Sequence, residues 1–504
     1  MARLWAKDHT VWFEEPRPEL VDRLGWLELP TKAQRHVEGI AALRSEAVAS
    51  GVSTIVLCGM GGSSLAPEVF SRTLPRAPGH PELIVVDSTH PDALQHISQS
   101  LDIEHAWFVV SSKSGGTLET MSFMRYFWAD LDNRMEDPGS RFIAITDAGS
   151  SLEELAAERG FRATFLADPE VGGRYSALTA FGLVPAGLIG CDIGALLASS
   201  RAAAALCRPD TPLSLNPAFQ IGATLSEAAA NTADKVRFIG SGFGAHFGIW
   251  VEQLIAESTG KAGTGIIPVD GGPQRTSSTD EVTVLITDRR PPDLDHDIVI
   301  DLSTAEDLAG VMFIWELAVA VAGAELGINP FDQPDVQRAK TLANEAMSGH
   351  IPDTERAVAV HSATVIETVV DALDSTSISY VAIQAYVAQT READDALARL
   401  RGAISLRTNA ATTVGYGPRF LHSTGQLHKG GPSGGVYIQL LDEPHVSMSV
   451  PETEFSFNEL IAAQIEGDRA ALRDAGRTVV SIDLGSEPTA GVIGLANALA
   501  ESTP

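Results

Sequence analysis

Short apolar runs recur along the chain, with room for a helix between each and the next. Thr54 to Cys58, Glu82 to Asp87, Ala106 to Ser111 and Arg141 to Thr146 are runs of this kind. They end in glycine, hydroxyl or acidic residues and read as buried strands. Stretches of helical pattern lie between them, for example 118–131 and 151–159. This alternation predicts a parallel, doubly wound sheet that binds ligands at the carboxyl ends of its strands. A helical segment over 177–207 then leads to Asp210-Thr211-Pro212, a boundary. A second α/β unit follows, with strands at 236–240, 282–286 and 297–301 and a long helix over 307–326. A third portion starts near 346, with a helix over 362–373, strands at 380–384 and 435–441, and a final strand and helix at 478–483 and 490–500. The expected organisation is an arm with helices over 1–50, α/β units over 51–209 and 210–345, and a C-terminal α/β portion over 346–504.

One stretch combines helical period with chemistry. Trp250 to Lys261 reads as a helix with Ile249, Leu254 and Ile255 on an apolar stripe. Gly260 is placed to end it in the left-handed conformation. Gln253 and Glu257 are four apart and share a face. The helix C-terminus disfavours negative charge, so Glu257 is expected to be a stronger base than a free carboxylate, as a carbon-acid shuttle needs. An amphipathic helix with a solvated Glu is the plain alternative.

Composition narrows the classes. A chain of 504 residues exceeds one hydrophobic core, and 44% hydrophobic with 20% charged residues is globular. A formal charge of −29 argues against nucleic acid or an anionic membrane as partner, but not against a small phosphorylated ligand. Cys58, Cys191 and Cys207 follow no metal or redox spacing and read as reduced thiols in a cytoplasmic protein. Residues 1–16 lack the apolar core of a signal peptide. The run from Gly310 to Ile328 is interrupted by Glu316 and Glu325 and is expected to be a buried helix, not a membrane span.

Two turns have the make-up of phosphate cradles. Gly59-Met60-Gly61-Gly62-Ser63-Ser64 follows the first strand, and glycines let backbone N–H groups approach an anion. Asp87, ending the next strand, keeps a dinucleotide site open as an alternative. Ser64, however, stands where the third glycine of that fingerprint belongs. The second turn, Ser111 to Thr120, offers the hydroxyls of Ser112, Ser114 and Thr117 and the charge of Lys113. Thr117 is also placed to cap the following helix. No His or Cys pair has metal-ligand spacing, so neither metal nor cofactor is expected.

Six stretches together resemble a known family. The second turn looks like the phosphosugar loop of sugar isomerase domains, and the first like the G-x-G-G-S loop of glucose-6-phosphate isomerases. Val171-Gly-Gly-Arg174-Tyr-Ser176, Glu257-Ser-Thr-Gly-Lys261, Asn329-Pro-Phe-Asp-Gln-Pro-Asp-Val-Gln-Arg-Ala-Lys340 and His422-Ser-Thr-Gly-Gln426 resemble four further motifs of that family. In the familiar bacterial members the histidine stretch precedes the Asn-Pro-Phe stretch; here it follows. That layout is similar to the isomerase half of fused transaldolase–glucose-6-phosphate isomerases, with no transaldolase half matched.

The resemblance implies two doubly wound sugar isomerase domains with a C-terminal α/β extension. It also implies metal-free interconversion of aldose and ketose 6-phosphates through a cis-enediol. Gly62, Ser63, Ser112, Lys113, Ser114 and Thr117 would hold the phosphate. Glu257 would move the proton between C2 and C1, Arg174 would face the enediolate oxygens, and Gln253 would orient the sugar. His422 and Lys340 would open the ring, with His428 as the other candidate histidine. The partner is a phosphosugar, with a homodimer as the expected assembly. Glucose 6-phosphate is the default substrate; mannose 6-phosphate, another hexose and a non-catalytic phosphosugar sensor remain open.

Overall fold

Continuous apolar runs bury a strand on both faces, and helices must then cover both sides of the sheet. A computed structural model shows this arrangement three times. It describes residues 1–502 except 276–278, 291–293, 337–340, 342–356, 363 and 375–377. The first sheet contains β1 (Thr54–Gly59), β2 (Glu82–Val86), β3 (Ala106–Ser111), β4 (Phe142–Thr146) and β5 (Ala163–Leu166), in the order β2-β1-β3-β4-β5. The second contains β6 (Lys235–Gly240), β7 (Ile267–Asp270), β8 (Glu281–Thr287) and β9 (Ile298–Asp301), in the order β7-β6-β8-β9. The third contains β10 (Val358–Ala359), β11 (Tyr380–Tyr386), β12 (Ala411–Tyr416), β13 (Gly435–Leu441) and β14 (Thr478–Asp483), in the order β10-β14-β13-β11-β12. Every recorded strand pair is parallel, for example Gly59 with Ser111 and Ala385 with Leu440.

The strand order positions the site. β1 lies between β2 and β3, so the turns leaving β1 and β3 emerge side by side at the carboxyl edge, where the winding reverses. The same reversal between β6 and its neighbours sends the chain into the helix Gly248–Thr259. Arg401 ties the second sheet to the third, donating to the backbone carbonyl of Asp270 at 2.9 Å and to that of Thr412 at 2.9 Å.

Several expectations change. The segment over 177–207 is two helices, Ala180–Leu188 and Ile193–Leu206, because Gly190 turns the chain at φ +95. β5, β7, β10 and β12, all at sheet edges, lay outside the sequence reading, since edge strands such as β5 alternate in burial and lack a continuous apolar run. The helix around Glu257 is buried on nearly every side and is not amphipathic. Gly260 has φ −75, so left-handed capping is not its role. A Cβ there would fall 2.4 Å from the Leu427 Cα, and close approach is what requires glycine. The apolar run that contains Gly310 is the helix Asp307–Glu325, buried among its neighbours. Its Glu316 has no hydrogen-bond partner on either carboxyl oxygen, and burial pushes that carboxyl well up.

The helix Pro217–Ala230 packs on Asp307–Glu325 through Gly222, where a Cβ would lie 2.4 Å from the Ala318 carbonyl oxygen. Gly222→Ala gains about 1 kcal/mol of helix propensity. Relieving a clash with backbone costs about 1–3 kcal/mol or more, so the clash should win. A lower urea midpoint for Gly222→Ala checks this; a higher one would mean the two helices separate freely.

Candidate functional site

The two turns take up the cradle geometry in different ways. Gly61–Ser63 is a 3-10 turn with Gly61 at φ +55, a conformation that side chains rarely adopt. There is also no room for one. A Gly61 Cβ would lie 2.5 Å from the His422 carbonyl oxygen and 2.9 Å from Gln253 Nε2. A Gly62 Cβ would lie 2.0 Å from the Gly173 carbonyl oxygen, and Ser176 Oγ donates to the Gly62 carbonyl at 3.0 Å. Ser63 accepts at its carbonyl from Ser111 Oγ at 3.1 Å, which ties the first turn to the second.

In the second turn, Thr117 does not cap the next helix with its side chain. Its hydroxyl pairs instead with Ser112 Oγ at 3.0 Å. Ser112 is buried, Thr117 half-buried and Ser114 exposed. Lys113 is not a free charge: its Nζ sits 2.5 Å from Asp147 Oδ2.

The Glu257 helix carries its motif inward. Glu257 is 7% exposed and Gln253 4%. Gln253 Nε2 donates to Glu257 Oε2 at 3.1 Å and to the His422 carbonyl at 2.8 Å. Two acceptors on one amide nitrogen fix its orientation and leave Oε1 buried without a partner. Arg174 is buried as well, not paired with Asp168 or Glu170 at the surface. Its Nε lies 3.4 Å from Glu257 Oε2, and its Nη2 donates to the carbonyls of Phe331 at 2.8 Å and Asp332 at 3.2 Å. Nη1 is buried without a partner. Gln253 and Arg174 thus present an acceptor and a donor beside one carboxylate.

His422 joins from the third sheet, at the end of the 3-10 turn Arg419–His422. Its Nε2 lies 2.9 Å from Glu119 Oε1. A carboxylate accepts, so Nε2 carries the hydrogen and Nδ1 is the nitrogen able to take a proton. Glu119 is oriented by Gln464 Nε2 at 2.7 Å, and Gln464 Oε1 accepts from Thr89 at 2.7 Å. Glu119, Gln464 and Thr89 escaped the sequence reading. The first lies inside a quoted loop, and the others come from distant segments.

His428 is elsewhere. It is buried between Phe420 and Tyr437 and bonds Gln384 at 3.2 Å, and burial pushes its imidazole well down. It lines a cavity of about 250 Å³ with Glu68, Glu252, Arg401, Arg419 and Thr424. None of Glu257, Arg174, Gln253 and His422 lines that space, so the cavity is separate from the cluster. Asp87, open as a ribose acid, is committed to Arg419 at 2.9 Å. Lys340 lies outside the described residues.

The motifs brace one another. Gln426 Nε2 donates to the Gly260 carbonyl at 3.0 Å, and its Oε1 accepts from Asp335 N at 3.0 Å. Lys261 Nζ reaches the carbonyls of Asn329 and Asp332 and lies 2.7 Å from Asp332 Oδ1. Burial, with the nearby Arg174 charge, pushes the Lys261 ammonium down to about 8.

The chain is similar to known proteins over part of its length. The family model described as phosphoglucose isomerase matches residues 34–205. A glucose-6-phosphate isomerase of Rubrobacter xylanophilus is 28% identical over 397 residues, covering 65% of this chain and 90% of the relative. One from Staphylococcus saprophyticus is 27% identical, covering 63% and 85%. Among solved structures, a hypothetical protein of Thermus thermophilus aligns with TM-score 0.59 and 22% identity over 69% of this chain and 95% of that one. A glucose-6-phosphate isomerase of Chlamydia trachomatis aligns with TM-score 0.54 and 19% identity over 68% and 78%. These structural likenesses speak to the fold.

A lysine near 8 in the fold and near 10.5 unfolded gives a signed pH effect. Between those values the unfolded chain holds the proton that the native one has released. Stability should therefore rise with pH across that window, by about 3 kcal/mol from this group. Urea titrations from about pH 7.5 to about pH 10.5 should show a slope that Lys261→Met flattens; an unchanged slope would assign it to other groups.

Proposed function

We propose that this chain, which belongs to the phosphoglucose isomerase family, interconverts glucose 6-phosphate and fructose 6-phosphate through a cis-enediol. The observation that carries the reading is the cluster around Glu257: one buried carboxylate flanked by a cation and an amide, each with a buried, unpartnered atom. Glu257 takes the proton from C2, and the electron pair moves into the C1–C2 bond as O1 gains the carbonyl pair. Arg174 faces that developing charge, where a fixed, dry cation acts most strongly. The O2 proton passes to O1, making O1 a hydroxyl, and Glu257 returns its proton to C1 as the O2 electron pair forms the new carbonyl. Gln253 orients the sugar hydroxyls. His422 Nδ1, with Lys340, exchanges the protons that open and close the ring. Gly62, Ser63, Ser112, Ser114 and Thr117 receive the phosphate, and Lys113 adds charge once a phosphate competes with Asp147. The proton shuttle uses neither metal nor cofactor. A place in glycolysis and gluconeogenesis, a cytoplasmic location and a homodimer belong to the same proposal.

A coupled assay with fructose 6-phosphate, reading glucose and mannose 6-phosphate separately, tests the activity. Glucose 6-phosphate as the main product is expected; no turnover of either would end the reading. Glu257→Gln keeps the side chain's size and removes the base. Its kcat should fall by about 10²–10⁴ with binding nearly intact. Wild-type exchange of the C2 proton in that variant would remove Glu257 from the shuttle. His422→Ala should slow turnover of closed-ring substrate far more than exchange in an open-chain one, and His428→Ala should do less. The opposite ranking would transfer the role to His428.

A further inference from the structure

We propose that Arg419 is a positioning residue that latches the His422 turn onto the first sheet and so sets where the ring-opening imidazole stands. Arg419 opens the 3-10 turn that His422 closes. Its guanidinium leaves its own unit. Nη1 meets Asp87 Oδ2 at 2.9 Å, directly after β2, and Nη2 meets Glu68 Oε2, in the helix that follows the Gly61 turn. The three side chains are largely buried, at 19%, 11% and 7% exposure for Arg419, Asp87 and Glu68. Burial opposes the Arg419 charge, but Asp87 and Glu68 outweigh it and hold the guanidinium protonated.

A planar guanidinium hydrogen-bonded to Glu68 and ion-paired with Asp87 fixes orientation as well as distance, which a point charge cannot do. The rest of the turn is anchored in the third sheet, where Phe420 packs edge-on against Tyr386 at 5.4 Å. The turn is therefore held to its own sheet by an apolar contact, and at its Arg419 end to the first sheet by an ionic one, while its His422 end meets Glu119 and Gln253. Buried ion triads contribute little net stability compared with apolar packing, because desolvation offsets the attraction; their best-attested use is to fix register. Here the register is that of the third sheet against the two glycine-rich turns, and His422 is the reactive group it places.

The inference rests on the reading of His422 as the ring-opening residue, so His422→Ala is measured beside Arg419→Met, Arg419→Lys and Asp87→Asn in the full-length protein. Each is assayed with fructose 6-phosphate. Each is also assayed for C1 proton exchange in 5-deoxyfructose 6-phosphate, which lacks the hydroxyl that closes the furanose. Arg419→Met should lose on the order of 10²-fold in kcat on the closed-ring substrate, the usual cost of displacing a reacting group by about 1 Å. Its KM should stay close to wild type, and open-chain exchange should be nearly unchanged. Arg419→Lys, which keeps the charge without the fork, should recover part of the loss. Should Arg419→Met fail to fold, Asp87→Asn keeps the shape of the pair and must show the same selectivity. Selective loss in the His422 and latch variants together supports the role. Selective loss in His422→Ala alone, or latch variants impaired equally on both substrates, overturns it. Absence of selectivity in His422→Ala overturns the His422 reading itself.

Discussion

Two backbones and two side chains converge on the Gly61–Ser63 turn, with no space left for a side chain at either glycine. Gly61 touches Gln253 and the His422 carbonyl, Gly62 touches Gly173 beside Arg174, and the Ser63 carbonyl accepts from Ser111 beside the second hydroxyl turn. Each contact belongs to a different part of the chain. Protein interiors do not compress, so one methyl group at this point would push apart segments that must meet. The rest of the site follows from that contact.

Charge is managed around the turn with similar economy. The chain as a whole is strongly acidic, yet Arg174 and Lys261 are buried side by side. Backbone carbonyls of Asn329, Phe331 and Asp332 receive their hydrogens. These carbonyl dipoles share the two cations with the carboxylates of Asp332 and Glu257. Glu257 lies 3.4 Å from the Arg174 guanidinium, so carboxylate and cation occupy one buried corner.

The third sheet gives the displaced histidine motif a physical explanation. In sequence, His422 lies far beyond the Asn-Pro-Phe stretch. In space, Gln426 bonds both the Gly260 carbonyl and Asp335, so the two motifs and the end of the Glu257 helix form one braced unit. The contact requires only that the segments arrive at the same edge, whatever their order along the chain.

The sequence by itself determined the parallel α/β class, most of the central strands and the two glycine-rich turns. These depend on local pattern: a continuous apolar run is buried wherever it goes, and a glycine turn needs only its own dihedrals. It also marked Gln253 and Glu257 through helical spacing, and Arg174 and His422 through family resemblance. Tertiary structure alone decided what those residues do to one another. It placed His422 against Glu119 and Gln253, and His428 in the core of the third sheet. It gave Gly260 a packing role in place of a capping one, and it committed Asp87 to Arg419. Such outcomes depend on contacts between residues hundreds of positions apart, and a one-dimensional pattern carries no term for the distance between them.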